Sequence, residues 1–302
     1  MLESKGHRTA MDETQINRYL GEGPRNRSNL RLYLGKCYYT WKRSLLWMKQ
    51  FRSYAQYKKN DIRLPYLVAT HKTPLIRQLQ SVDMWLQQNK VNNLKLAVNR
   101  INSLVIAPGE TFSFWYLIGK PTHKKGYLKG MVLCNGSFKP GIGGGLCQLS
   151  NLIYWMTIHS PLTVTERWRH NYDVFPDVDR TQPFGSGATV VYNYVDLQVT
   201  NATDSDYQLV LWLDEDFLQG EWRSQQAPLY TYQVYEKEHR ITHEWWGGYM
   251  RHNKINRRVY NRKGQEIDDV TITENHAVMM YAPMLAWEMD RSRDFVVDKD
   301  GL

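Results

Sequence analysis

The sequence predicts an α+β fold: helices in the first half pack on an antiparallel β-sheet from the second half, and a glycine-rich turn leads into the helix that carries a cysteine. Apolar residues recur at helical spacing as far as about residue 105, whereas β-branched and aromatic runs dominate from Thr189 onward. A hydrophobic content of 42% with 23% charged residues is typical of a globular protein, and 302 residues can bury a substantial core.

The predicted organisation has four parts. Residues 1–29 are polar and are expected to be a mobile lead-in, and residues 30–60 form a basic amphipathic helix. Residues 61–205 form the core domain, and residues 206–302 are a strand-rich extension of that core.

The basic helix has eight Lys or Arg residues between Arg31 and Lys59 and no acidic residue. Its apolar residues recur at helical spacing, at Leu34, Tyr38, Trp41, Leu45 and Met48. Two interpretations are open: a helix that lies on an anionic membrane surface, or a docking helix whose apolar stripe packs on the core. We favour the docking helix, because apolar stripes belong to a core far more often than to a membrane.

The next elements follow from periodicity and from turn residues. A helix is predicted over Thr73–Gln88, opened by Pro74 after a threonine cap, and another over Asn92–Val105, ended by Pro108 and Gly109. Met131–Phe138 reads as a strand that enters the glycine run. Leu146–His159 then reads as a helix, with Pro161 just beyond its end.

The second half is predicted to be strands. Thr189–Thr200 and Gln208–Leu213 are expected to pair antiparallel around a turn at Ala202–Asp206. Further strands are predicted at Tyr230–Tyr235, Ile255–Tyr260 and Ile267–Thr273, with residues 262–265 as a hairpin turn.

Charge and cysteine content limit the class of protein. A net charge of +9 and a pI near 9.3 favour anionic partners, but without a nucleic-acid-binding motif we expect no nucleic acid partner. Three cysteines are an odd number, so a disulfide framework is not expected. With neither a signal-peptide core nor a membrane span, the sequence predicts a cytoplasmic protein or one peripheral at the membrane, and it leaves extracytoplasmic action open.

Cys147 is the candidate nucleophile. It follows Gly143, Gly144 and Gly145 at a predicted helix start, where bare peptide N–H groups can converge on an oxyanion. The helix N-terminus is expected to lower the pKa of the thiol. The glycine run lacks the residue spacing of phosphate-binding and dinucleotide-binding loops. On the local residues alone, the interpretation of Cys147 as an unreactive, packed side chain is as well supported as that of a nucleophile.

A cysteine nucleophile needs a base, and His170 is the nearest strong candidate. His159 is the rival, but twelve helical residues place it about 18 Å from Cys147. The histidines at 239, 243 and 252 fall in predicted strands and are expected to lie on the surface, so we expect neither a metal nor a cofactor.

Three blocks occur in one order: Pro108–Phe114, Gly143–Gln148, and Glu166-Arg167 followed by His170. In these blocks the chain closely resembles the VanW family, over about residues 90–205. The resemblance implies an association with vancomycin resistance, and some VanW-domain proteins are peptidoglycan L,D-transpeptidases whose cysteine attacks a peptide-stem carbonyl. The partner implied is a peptidoglycan precursor or peptide stem.

Carried over to this chain, the resemblance implies Cys147 as nucleophile and His170 as base. The glycines, Gln148 and Arg167 would support the oxyanion and the substrate, and Glu110 would shape the site or hold Arg167.

Two departures keep a second hypothesis open. Gly187 stands where the family is expected to show an acidic residue before Ala188, so Asp173 or Asp177 would have to substitute, and the sequence shows none of the export signal that a wall-crosslinking enzyme is expected to need. The alternative is a non-enzymatic accessory protein that binds a cell-wall precursor, a membrane surface or a resistance partner.

Overall fold

The computed structural model describes residues 28–76, 83–134, 137–169, 172–174, 182–245 and 247–283, and it confirms the α+β class. The chain divides into two units, Met1–Lys42 and Arg43–Leu302. Within the described ranges, no helix is both long enough and apolar enough to cross a membrane.

The basic helix α1 (Asn29–Lys49) is shorter than predicted, and a 3-10 turn (Phe51–Ser53) follows it. None of its residues is buried, and Leu30, Tyr33 and Trp41 are 61–67% exposed. The docking interpretation stays a prediction. Only near its end does Trp47 pack, beside the rings of Tyr116 and Tyr192.

The described part of the second unit contains four sheets and three α-helices besides the end of α1. Their elements are β1 (Tyr66–Pro74), α2 (Met84–Ile101), β2 (Leu104–Ile106), β3 (Thr111–Ser113), α3 (Phe114–Ile118), β4 (Lys129–Cys134), β5 (Ser137–Ile142), α4 (Cys147–Ile158), β6 (Thr163–Glu166), β7 (Tyr172–Asp173), β8 (Gln198–Thr200), β9 (Tyr207–Leu213), β10 (Phe217–Ser224), β11 (Tyr230–His243), β12 (Tyr249–Asn261) and β13 (Glu266–Met279). The strand orders are β1-β10-β9-β2, β11-β12-β13-β7, β3-β8-β6 and β4-β5.

The separate helix predicted over Thr73–Gln88 is wrong, whereas the helix predicted over Asn92–Val105 is confirmed as the later part of α2. Thr73 and Pro74 end an edge strand, β1, which pairs with β10, and one helix, α2, begins at Met84 and runs through Asn92. Proline is tolerated at the end of an edge strand, so Pro74 marks a strand end here and not a helix start. Val105 lies in β2, because Ser103 takes a positive φ of 63° and turns the chain after α2.

The predicted pairing of Thr189–Thr200 with Gln208–Leu213 is also wrong. Only Gln198–Thr200 forms a strand, and it pairs with β3 and β6, while β9 pairs with β10 and β2. The side chain of Asn201 bonds the carbonyls of Ile106 and Ser205, which turns the chain from one sheet to the other. The segment Met131–Phe138, predicted as one strand, is a hairpin of β4 and β5.

The helix predicted over Leu146–His159 is confirmed as α4, and the C-terminal strands are confirmed but longer than predicted. Helices α2 and α4 pack on the sheet that contains β1, β9 and β10. Leu149, Leu152 and Ile153 of α4 are fully buried, and each contributes roughly 1.5–3 kcal/mol by leaving water. This burial fixes the position of the helix that begins with Cys147.

Candidate functional site

Cys147 is the first residue of α4, directly after a turn in which Gly143 and Gly145 have φ values of +73° and +93°. L side chains rarely adopt this left-handed conformation, so glycine is required at both positions. A side chain at Gly145 would also collide with the stem of Lys90. The turn therefore brings the chain into α4 along one defined path.

Asn93 of α2 holds this turn against β4. Its side-chain amide donates to the carbonyls of Gly144 and Leu128, each at 3.0 Å, and its carbonyl accepts from the peptide N–H of Leu128 at 2.8 Å. Gly130 and Gly144 touch backbone to backbone, since a Cβ on Gly144 would lie 2.2 Å from the carbonyl carbon of Gly130. The turn is thus fixed by three hydrogen bonds and by a contact that only two glycines allow.

Among the described residues, the peptide N–H groups of Gly145 and Leu146 make no hydrogen bond, and that of Cys147 bonds its own sulfur. The next two amides are satisfied, because Gln148 and Leu149 donate to the carbonyls of Gly145 and Leu146. Unbonded N–H groups at a helix start carry the partial positive charge that favours an anion. The two unbonded amides of Gly145 and Leu146, which we call the α4 amide cluster, are where an oxyanion would be stabilised.

Cys147 as a whole residue is half-buried, and it packs against the core. Its S–H donates to the carbonyl of Val190, at 3.8 Å between sulfur and oxygen. Burial raises the pKa of the thiol, and the hydrogen bond from its own peptide N–H to the sulfur only partly opposes this. The predicted lowering by the helix N-terminus is therefore wrong: desolvation dominates, and the resting group is the neutral thiol.

Gln148 joins α4 to the end of β1. Its side-chain amide donates to the hydroxyl of Thr73 at 2.8 Å and to the carbonyl of Pro74 at 2.9 Å. The structure thus brings together Cys147, Gln148 and the three glycines, as expected, but the Gln148 N–H groups already have protein acceptors. A substrate role for Gln148 stays a prediction.

Arg167 and Glu110 lie apart from this group. The guanidinium of Arg167 donates to the carbonyls of Gly185 and Gly187 and to the hydroxyl of Thr273, and it lies 4.6 Å from the ring centroid of Tyr154. Seven residues separate Tyr154 from Cys147, about 10 Å along the axis of α4.

Glu110 instead accepts from the peptide N–H of Ala107 at 2.9 Å and closes its own turn. The expectation that Glu110 holds Arg167 is therefore wrong, because each side chain has other partners.

Residues 89–223 match the family model described as VanW like protein. The chain is 35% identical over 219 residues to the Vancomycin B-type resistance protein VanW of Enterococcus faecalis, which covers 72% of this chain and 79% of that protein. The chain belongs to the VanW family. It is also 32% identical over 114 residues to the uncharacterized protein YoaR of Bacillus subtilis, 38% of this chain and 36% of that protein. No solved structure matches the chain.

The glycine at position 187, where an acidic residue is expected in this VanW chain, is explained by packing. A Cβ at Gly187 would lie 2.7 Å from the side-chain oxygen of Asn151, which already accepts the peptide N–H of Ala188. Of the two suggested substitutes, Asp173 is buried with Arg251 at 3.2 Å and accepts from Tyr281. Asp173 is thus engaged in the structure of the sheet. Asp177, like the candidate base His170, lies outside the described residues.

A histidine that the sequence did not single out lies against α4. His71 of β1 is 2.7 Å from the amide nitrogen of Gln182, and its ring centroid is 6.1 Å from that of Trp155. The ring centroid of Trp155 in turn lies 4.6 Å from that of His159, the rival base, at the C-terminal end of α4. Burial lowers the pKa of both imidazoles. His71 could have been found only by recognising β1 as a strand.

Two residues of the VanW sequence blocks meet at a buried carboxylate, Asp196. Asp196 accepts from the hydroxyl of Ser113 at 2.5 Å and from the peptide N–H of Trp115 at 2.9 Å, and burial raises its pKa to about 6. Glu166 accepts the peptide N–H of Asp196 and forms a bidentate pair with Arg43. In this VanW chain Glu166 therefore joins the end of α1 to the β3-β8-β6 sheet.

Proposed function

We propose that this chain is a cysteine-dependent acyltransferase of the L,D-transpeptidase type, acting on peptidoglycan peptide stems. The observation that supports it most is the position of the Cys147 sulfur at the start of α4, next to the α4 amide cluster. A nucleophile beside unbonded N–H groups is the arrangement that acyl transfer requires. Family membership, with a relative named as a vancomycin resistance protein, supports the cell-wall substrate.

The reaction has two halves. In the first, a base takes the thiol proton, the sulfur attacks the stem carbonyl, the C–N bond breaks, and the amine leaves with the proton. In the second, an acceptor amine attacks the thioester, the C–S bond breaks, and the sulfur takes back a proton. The α4 amide cluster stabilises the oxyanion in both halves. Because burial raises the pKa of Cys147, the first half needs a base, and we assign that role to His170.

Turnover of a muropeptide with a peptide stem tests this proposal. We expect Cys147→Ala to abolish the cross-linked product, measured by chromatography and mass spectrometry, while Cys37→Ala, a change at an exposed thiol, leaves it unchanged. His170→Gln is expected to lose turnover at neutral pH and to recover part of it as the pH rises. Equal product from the native protein and Cys147→Ala would rule the proposal out.

The exposed helix α1 supports a second candidate function, binding of an anionic membrane surface. Most of its apolar side chains are exposed, and the helix contains Lys and Arg but no acidic residue. We expect Lys36→Glu with Lys42→Glu to abolish sedimentation with vesicles of anionic phospholipid.

The control is Lys124→Glu with Lys125→Glu, the same charge change at another exposed site. Arg43 is spared because it is paired with Glu166. Equal loss in both double variants would contradict a role for this helix.

A further inference from the structure

A cleft of about 350 Å³ lies between the last turns of α4, strand β6, and the strands β12 and β13. Two guanidinium groups, Arg167 and Arg257, line it. No carboxylate is among the residues that line the cleft in the described part of the chain. The cleft is therefore positively charged and has no internal counter-charge.

Neither arginine has an acidic partner among the described residues. Arg167 bonds two carbonyls and a hydroxyl, and Arg257 bonds the carbonyl of Ser160 at 3.1 Å, while the Nε of Arg257 is buried without a hydrogen-bond acceptor. By contrast, the part-buried Arg43 and the buried Arg251 face Glu166 and Asp173. Buried cations are normally paired, because desolvation of an uncompensated charge is costly.

Desolvation is evident at Arg167, where burial lowers the pKa of the guanidinium. Arg257 lies 5.0 Å from the ring centroid of Tyr232, so an aromatic ring holds the guanidinium in place. Guanidinium groups bind carboxylate and phosphate with paired hydrogen bonds. An anion in the cleft would balance the charges of both guanidinium groups.

The rest of the cleft defines the remainder of the ligand. Ile158, Val164 and Ile272 form apolar walls, and the hydroxyls of Thr163, Thr165 and Thr271 add hydrogen-bonding groups. A bare inorganic ion would leave these apolar walls in contact with water. An anion attached to an apolar group would bury them.

We propose that this cleft binds a ligand that carries an oxyanion, a phosphate or a carboxylate, on an apolar body, with Arg167 and Arg257 as its charged contacts. The site is separate from the proposed acyl transfer, because Ile158 lies eleven residues from Cys147, about 16 Å along α4. Binding of a ligand in the cleft therefore does not require the Cys147 thiol.

Calorimetric titration of the full chain with phenyl phosphate and with phenylacetate tests the proposal. The probe that binds more tightly shows whether the cleft prefers a phosphate or a carboxylate. We expect Arg257→Gln to weaken binding about tenfold or more, as loss of a charged hydrogen-bond donor does, and Arg257→Lys to retain part of it. The control is Arg258→Gln, which removes the same charge next along β12, from a side chain that lies over Tyr235 and 3.6 Å from Glu266.

Cys147→Ala should bind both probes as the native protein does, so failure of the acyl transfer proposal would leave this one standing. Thr271→Glu, at an exposed position of the cleft, provides a second variant that places a negative charge in the site and should abolish binding. Absence of binding by both probes, or equal weakening in Arg257→Gln and Arg258→Gln, would overturn the proposal.

Discussion

At the scale of single residues, Cys147 combines two opposing influences. The helix start and its free amides favour negative charge near the sulfur, yet burial raises the pKa of the thiol above its ordinary value of 9.0. The outcome is a thiol that is neutral at rest and that, in the proposed reaction, is ionised only when a base or a bound substrate changes its surroundings. Such a thiol is protected from reaction with solutes in the absence of substrate.

This state of Cys147 predicts a shifted pH profile of alkylation. In a Cys37→Ser, Cys134→Ser background, the rate with iodoacetamide should rise at a higher pH than for a small free thiol, because only the thiolate reacts and less of it exists at each pH. Intact mass against time at each pH provides the rates. A profile shifted to lower pH than that of the free thiol would show an activated thiolate and contradict this description of the site.

The site residues that could be predicted from the sequence are those that lie next to one another in the chain. The glycine run and Cys147 are adjacent in the chain, so their conjunction could be read directly. Asn93 and His71 could not be found this way, because their contacts at Gly144 and Gln182 lie 51 and 111 residues away. Their roles depend on pairing between distant elements, which no local pattern encodes.

At the scale of elements, the glycine turn depends on α2 and β4 more than on its own residues. Asn93→Ala removes three hydrogen bonds and leaves the buried carbonyl of Gly144 without its partner. We expect a loss of about 2–4 kcal/mol in the free energy of unfolding, measured by urea denaturation.

The matched control is Asn92→Ala, on the same helix, which removes one exposed bond to Gly126 and should cost about 1 kcal/mol or less. Equal losses in the two variants would mean that the turn is held by other contacts.

The wrong predictions of secondary structure have one physical cause in common. Residues 73–88 show apolar spacing that suits a helix, but Thr73 and Pro74 are drawn into β1 by pairing with β10, more than 140 residues later. Strand stability of this kind comes from cross-strand partners and burial more than from intrinsic preference. By contrast, α4 and the C-terminal strands were predicted because their burial and their periodicity agree.

At the scale of the whole second unit, the long sheet of β11, β12 and β13 lies beyond the residues that match the VanW family model. It is joined to the rest through buried polar groups, among them Arg251 with Asp173, and Asn253 with the carbonyl of Phe184. The sequence indicated strands here but not these connections, since they join residues about 70 to 80 positions apart.

The Arg251 to Asp173 pair should therefore contribute strongly to stability. Arg251→Met leaves a buried carboxylate without its cation, and we expect a loss of about 3–5 kcal/mol in the free energy of unfolding. Lys254→Met, on the same strand, breaks a solvent-exposed pair with Glu274 and should change the free energy of unfolding much less than Arg251→Met does. Similar melting temperatures for the two variants would show that the long sheet does not depend on this pair.

The central claim is that the Cys147 sulfur forms a thioester with a peptide stem, and intact-mass spectrometry of the full chain after incubation with a muropeptide donor, without acceptor amine, tests it most directly. We expect a mass increase equal to the donor acyl group, reversed by hydroxylamine, present in Cys37→Ala and absent in Cys147→Ala. No adduct on the native protein, or an adduct that persists in Cys147→Ala, would contradict the claim.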